Sequence, residues 1–231
     1  MNKLYIVIGA YGSGKTEYSV NLALKLKNEF ENVALCDLDV VNPYFRSRDV
    51  RDGFEKKGIV VIAPEGQYSH ADLPMLSPKV KGYIENTNFV TILDVGGDPA
   101  GCRTIARYHK EIQQRDYEMI MVVNTKRPAT QNQPEIEEMI EMLEFTSKLK
   151  INELISNTNL MEFTDREIVE SGIKICEEVA EKRNLKFEKY LVVNKYQERI
   201  PENILNKKRI ILEPFMNKPW EGGEPVILVG I

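Results

Sequence analysis

Cysteine, histidine and tryptophan are scarce in this chain of 231 residues, which holds three, two and one of them. The cysteines, Cys36, Cys102 and Cys176, lie far apart and outside any CxxC, which argues against a disulfide framework and a structural zinc site. No apolar run approaches the roughly eighteen residues of a membrane-spanning helix, so no span is expected. An excess of one charge is lacking too. The formal net charge of −4 gives no electrostatic reason to expect nucleic acid or an anionic membrane as partner. The first residues enter a strand pattern almost at once, so no signal peptide is expected and the chain reads as cytoplasmic. Internal repeats, low-complexity tracts and linkers are missing, so residues 1–231 are expected to form one domain.

What the chain does have is Gly9-Ala10-Tyr11-Gly12-Ser13-Gly14-Lys15-Thr16. This stretch satisfies G-x-x-x-x-G-K-[ST] in full, behind the apolar run Leu4–Ile8 and ahead of a helical pattern. Glycines let a backbone curl so that successive N–H groups point inward and cradle phosphate oxygens. The following helix adds the partial positive charge of its N-terminus. On this reading Gly9, Gly12, Ser13 and Gly14 hold phosphate, Lys15 reaches the β- and γ-phosphates, and the Thr16 hydroxyl ligates Mg²⁺.

Hydrophobic spacing predicts an alternation of strands and helices. Tyr18, Leu22, Ala23, Leu26 and Phe30 place a helix over 15–30, and Val33–Cys36 reads as a buried strand. A loop with Pro43 follows, then a charged helix over 46–57 and a strand over 59–63. Residues 64–82 are the least regular, with a short helix before Asn86. Strands are expected at 89–93, 119–123, 151–156, 190–193 and 210–212. Helices are expected at 99–115 and 134–149, and another striped by Ile168, Gly172, Ile175, Cys176 and Val179. The pattern predicts an α/β fold: a mostly parallel sheet of seven to eight strands with helices on both faces. Ligands in such sheets sit at the carboxyl ends of the strands, where every motif named here falls.

Asp94-Val95-Gly96-Gly97 puts a carboxylate at a strand end, suited to Mg²⁺, and the Gly97 N–H within reach of a γ-phosphate. Asp98-Pro99-Ala100-Gly101 continues it as a mobile loop. Asp37 and Asp39 flank Leu38 after the second strand and point the same way in an extended chain. One carboxylate can hold a Mg-bound water and the other orient an attacking water; spacing does not decide which does which.

Together, the phosphate loop, Asp37-Leu38-Asp39 and Asp94–Gly97 resemble the CobQ/CobB/MinD/ParA branch of P-loop ATPases, related to the nitrogenase iron protein. The resemblance covers roughly residues 1–200 and implies the three-layer P-loop NTPase fold. It further implies ATP and Mg²⁺ as ligands, a first switch at Asp37 and Asp39, and a second at Asp94 to Gly97. Lys15, Asp39 and Asp37 would then be catalytic, and Thr16, Asp37 and Asp94 would surround the metal. Many members carry a second lysine after the first loop glycine, which crosses a face-to-face dimer; here that residue is Ala10. A nucleotide-dependent homodimer stays open, with Arg46, Arg48, Arg103 or Arg107 as sources of the missing charge.

For the base, Asn157-Thr158-Asn159-Leu160 lacks the lysine and aspartate of a guanine site, so ATP is favoured over GTP. The resemblance makes Asn157 the adenine reader, with Asn124-Thr125-Lys126-Arg127-Pro128 as a competing loop. Cys36 and Cys176 read as core residues. Cys102 follows the second switch, where the iron protein places a cluster ligand, but with Ile105, His109 and Ile112 it forms a packing face. His70 has no spaced second ligand. The resulting expectation is an ATPase switch acting on an unidentified protein partner. Two alternatives remain: a small-molecule kinase or ligase with an acceptor pocket in 64–82, and a GTPase-type metallochaperone or non-catalytic nucleotide switch.

Overall fold

The computed structural model describes residues 3–39, 48–63 and 78–215. Its elements are β1 (Leu4–Ile8), α1 (Lys15–Lys27), β2 (Val33–Asp37), α2 (Arg48–Lys56), β3 (Ile59–Ile62), α3 (Pro78–Glu85) and β4 (Val90–Asp94). Next come α4 (Pro99–Ala106), α5 (His109–Gln113), β5 (Tyr117–Val123), α6 (Gln133–Ser147), β6 (Glu153–Ser156) and α7 (Arg166–Arg183). The sheet ends with β7 (Lys189–Val193), β8 (Asn203–Ile204) and β9 (Lys207–Leu212). Nine strands form one sheet in the order β3-β2-β4-β1-β5-β6-β7-β9-β8. All neighbours run parallel except the β8–β9 pair. The count exceeds the expected seven to eight because the two-residue β8, too short for a hydrophobic pattern, pairs with β9 as a hairpin.

The central strands β1, β2 and β4 are buried almost throughout, as strands covered on both faces must be. Tyr18, Val20, Ala23 and Leu26 of α1 and Phe54 of α2 pack one face. The other is covered from α3 to α7 by residues such as Ile84, Ile105, Ile140 and Ile173. After β9 the chain returns to α1: the Asn21 amide donates to the Glu213 carbonyl at 3.0 Å, and the Phe215 N–H to Glu17 Oε1 at 2.6 Å.

Several boundaries differ from expectation for local reasons. Helix α1 ends at Lys27 rather than residue 30, because the Asn28 and Glu29 amides bond carbonyls three residues back. The single helix over 99–115 is two, α4 and α5. At their junction His109 Nδ1 lies 2.8 Å from the Ala106 carbonyl oxygen, and Tyr108 leaves helical geometry. On α7 the buried stripe centres on Val169, Ile173 and Cys176, with Ile168 and Ile175 only partly covered. The loop with Pro43 and residues 64–77, including His70, lie outside the described residues.

Strand order reverses around β1, since β2 lies on one side of it and β5 on the other. The crevice at the carboxyl ends of β1 and β4 is where such sheets take ligands. The Gly9–Thr16 loop leaves β1 there and Asp94 closes β4 there.

Candidate functional site

Gly14 caps α1 with φ of 87°, a left-handed conformation that favours glycine, and a Cβ there would collide with the Asn157 amide. The loop is therefore pinned from outside as well as curled from within. Asn157, at the end of β6 and 5% exposed, donates from Nδ2 to the Ser13 carbonyl at 2.7 Å. Asn159 Nδ2 in turn donates to the Asn157 carbonyl at 2.8 Å, and the Asn159 N–H donates to Asn124 Oδ1 at 3.3 Å. The two asparagine loops that compete in the sequence are thus one hydrogen-bonded assembly beside the phosphate loop.

Lys15 is buried, and its Nζ lies 2.9 Å from Asp39 Oδ2. The Asp39 N–H donates to Asp37 Oδ1 at 3.0 Å just after β2 ends, while the Leu38 N–H still bonds the Asp94 carbonyl at 2.8 Å. Asp37 pairs in register with Asp94 across β2 and β4, so all three aspartates converge on Lys15's end of the sheet.

Asp94 is fully buried. Its Oδ1 accepts from Ser19 Oγ at 3.2 Å, while among the described residues Oδ2 has no hydrogen-bond partner. Burial pushes its carboxyl up to about 6; the Lys15 charge and the Thr16 hydroxyl oppose this, the Asp39 charge adds to it, and Ser19 opposes it. An orphaned carboxylate oxygen beside the Thr16 hydroxyl has the donor chemistry of a hard-cation site, so these residues fit Mg²⁺. Among the described residues no group of three or more acidic, His or Cys side chains could hold a metal ion.

The second expected switch is packed directly on the loop. A Cβ at Gly97 would overlap the Gly9 carbonyl, and one at Gly101 would approach the Gly96 oxygen to 2.5 Å. Asp98 caps α4 by accepting from the Gly101 N–H at 2.7 Å. Ala10, Lys15, Asp39, Gly97, Asp98 and Pro128 line a cleft of about 380 Å³.

The arrangement brings together Gly9, Gly12, Ser13, Gly14, Lys15, Thr16, Asp37, Asp39, Asp94, Gly97 and Asn157. It leaves Arg103 and Arg107 exposed to solvent on and just after α4, while Arg46 and the side chain of Arg48 lie outside the described residues. Cys36, Cys102 and Cys176 are buried free thiols, and burial pushes Cys102 up to about 12. Sequence reasoning missed Ser19, whose hydroxyl bonds both the Lys15 carbonyl and Asp94. Its position one helical turn after Lys15 was the available signal. Arg127 was named only within the competing base loop 124–128, whereas the structure sets that side chain against Gly12 of the phosphate loop.

No family model and no curated protein matches the chain. Solved structures do. A nucleotide-binding protein from Archaeoglobus fulgidus, solved with ADP, gives a TM-score of 0.49 at 15% identity over 81% of this chain and 80% of that one. FtsY from Mycoplasma mycoides gives 0.50 at 17% identity over 81% of this chain and 59% of that one. The BceF tyrosine kinase domain gives 0.46 at 17% identity over 67% and 68%. At 17% identity and a TM-score of 0.50, the likeness to FtsY concerns the fold alone, a mostly parallel α/β sheet with helices on both faces.

Proposed function

We propose that this chain is a Mg-dependent ATPase of one domain, cycling between nucleotide states to control a protein partner. The observation that carries the reading is the convergence of a complete phosphate loop with Asp37, Asp39, Asp94 and Gly97 at one crevice. In this mechanism the loop amides and Lys15 hold charge that spreads over the γ-phosphoryl oxygens. Thr16, with Asp94 or Asp37 through water, would hold Mg²⁺, which when bound would supply positive charge against the phosphate oxygens. Asp39 leaves Lys15 and orients the attacking water. Because Gly97 packs on the Gly9 carbonyl, loss of the γ-phosphate is felt at once by the segment Asp94–Gly101 and relayed into α4.

The MinD/ParA-like branch remains the favoured relative within the fold, with Ala10 as its clear departure. Calorimetry of the native chain with Mg·ATP and Mg·GTP tests the reading. Association with ATP in preference to GTP is expected, together with slow phosphate release that Lys15→Ala abolishes. Absence of heat with both nucleotides would overturn it, and turnover unchanged in Lys15→Ala would remove the site as described.

A further inference from the structure

The loop after β5 bears on the same crevice. Its turn is tight: the Asn124 carbonyl accepts from the Arg127 N–H at 3.1 Å and from Thr130 Oγ at 2.8 Å. Pro128 and Ala129 line the cleft that Lys15 and Asp39 share. Arg127 itself lies against the crown of the phosphate loop. A Cβ built on Gly12 would stand 3.2 Å from Arg127 Nε, 3.3 Å from Cδ and 3.6 Å from Cζ.

This side chain is partly buried. Among the described residues its buried Nε has no hydrogen-bond partner and the guanidinium makes no ion pair. Lys15 is paired with Asp39, and Arg115, whose Nε likewise has no hydrogen-bond partner among the described residues, spends its terminal nitrogens on four backbone carbonyls. A guanidinium carries five donors and no acceptor, and a covered donor without a partner is costly. Setting one against a loop whose amides turn inward only adds to the positive potential there. Ala10 contributes no charge, so Lys15, already engaged, is the only lysine within the loop. A polyanion in the cradle would answer both features.

We propose that Arg127 is the second cation of the phosphate site, its guanidinium bonding phosphate oxygens of the nucleotide held by Gly9–Thr16. This rests on the nucleotide reading above and adds a ligand that arrives from the β5 loop rather than from the motif. Fork-shaped donors suit phosphate oxygens in pairs.

The test compares Mg·ATP affinity and ligand-free melting temperature in native chain, Arg127→Met, Arg127→Lys and Lys126→Met. Methionine keeps the packing on Gly12 and removes the fork; Lys126 is the exposed neighbour that controls for general charge. Arg127→Met is expected to weaken binding about ten- to a hundred-fold at an unchanged melting temperature. Arg127→Lys should fall between it and the native chain, and Lys126→Met should stay within about twofold, as for a solvated charge. Native affinity in Arg127→Met, or an equal loss in Lys126→Met, overturns the proposal. If Arg127→Met fails to fold, phenylglyoxal labelling of the native chain decides: ATP should protect Arg127, and undiminished labelling overturns the assignment. A native chain that binds neither Mg·ATP nor Mg·GTP sinks the nucleotide reading as well, whereas native binding with an indifferent Arg127→Met sinks this one alone.

Discussion

Lys15 Nζ and Asp39 Oδ2 stand 2.9 Å apart, the lysine 8% exposed and the aspartate 4%. The lysine that a triphosphate would claim is therefore already held by the end of β2. A buried pair is costly to break from one side, because the surviving charge stays desolvated. Under the proposed function, nucleotide arrival and release of Asp39 would be one event: phosphate oxygens would replace the carboxylate on Lys15 and free it for water.

Asp39→Asn separates the two roles. The ligand-free protein should lose about 3 kcal/mol in urea unfolding, since Lys15 keeps its charge and loses its counterion. Affinity for Mg·ATP should rise about tenfold, because a competing negative charge is gone, while single-turnover hydrolysis falls by about a hundredfold or more. Weaker binding together with unchanged hydrolysis would show that Asp39 neither competes for Lys15 nor orients water.

Much of this site was legible because its chemistry is consecutive in the chain. Gly9–Thr16 and Asp94–Gly97 each announce a turn, a charge and a strand end within a few residues. The web that fixes the loop was not legible. Asn157 reaches Ser13 across 144 positions, and nothing local in either segment encodes that contact. The hydrogen bond from the Asp39 N–H to Asp37 Oδ1 was not legible either, because alternation reports only which face a side chain takes. The helix over 99–115 looked continuous because its apolar spacing is continuous; the break at Tyr108 comes from backbone geometry that spacing does not report.

Arg115 offers a stability test far from the crevice. Nη1 donates to the carbonyls of Tyr83 at 3.2 Å, Ile84 at 2.9 Å and Asn86 at 3.3 Å, and Nη2 to Phe89 at 3.1 Å. One side chain thus satisfies the carbonyls where α3 ends and the chain turns into β4. Arg115→Ala should cost about 2–4 kcal/mol in urea unfolding, and Arg115→Lys should recover less than half, as an ammonium cannot span the same fork. Native stability in the alanine variant would mean these bonds are replaced by water without loss.

The amino ends of the strands supply a pH test. Glu153 is 1% exposed and hydrogen-bonded to Glu118, with Lys189 at 3.0 Å and Lys186 at 3.8 Å. Burial, then the Glu118 hydrogen bond, raises Glu153 above the ordinary carboxyl range despite both lysines. Glu118 is lowered: burial pushes it up, and Glu153, Lys3 and Lys186 together outweigh that. A raised carboxyl makes the folded state hold a proton the unfolded chain has released, so its term erodes stability as pH rises from the ordinary range to the raised value. A lowered one does the reverse, contributing above the ordinary range and losing that contribution as pH falls. At pH 7, Glu153→Gln should match or exceed native stability, whereas Glu118→Gln should fall below it. Urea midpoints of both variants from pH 4 to 8 check the sign, and the same sign for both would refute the opposite directions given to Glu153 and Glu118.

Asn157 has two candidate duties, and one substitution pair distinguishes them. Its Nδ2 is spent on the Ser13 carbonyl at 2.7 Å, which braces the phosphate loop for any nucleotide. Adenine reading would additionally use the amide's capacity to donate and accept at once. Asn157→Asp keeps the shape but turns an acceptor toward the Ser13 carbonyl, so the brace becomes a repulsion. Asn157→Ala removes both duties without adding charge. If Asn157 only braces, both variants lose affinity for Mg·ATP and Mg·GTP by equal factors, about tenfold for one buried bond. If it also reads the base, the alanine variant loses more for ATP than for GTP and the native preference narrows. The ratio of the two dissociation constants therefore carries the answer, because damage to the loop cancels from it and recognition of the base does not.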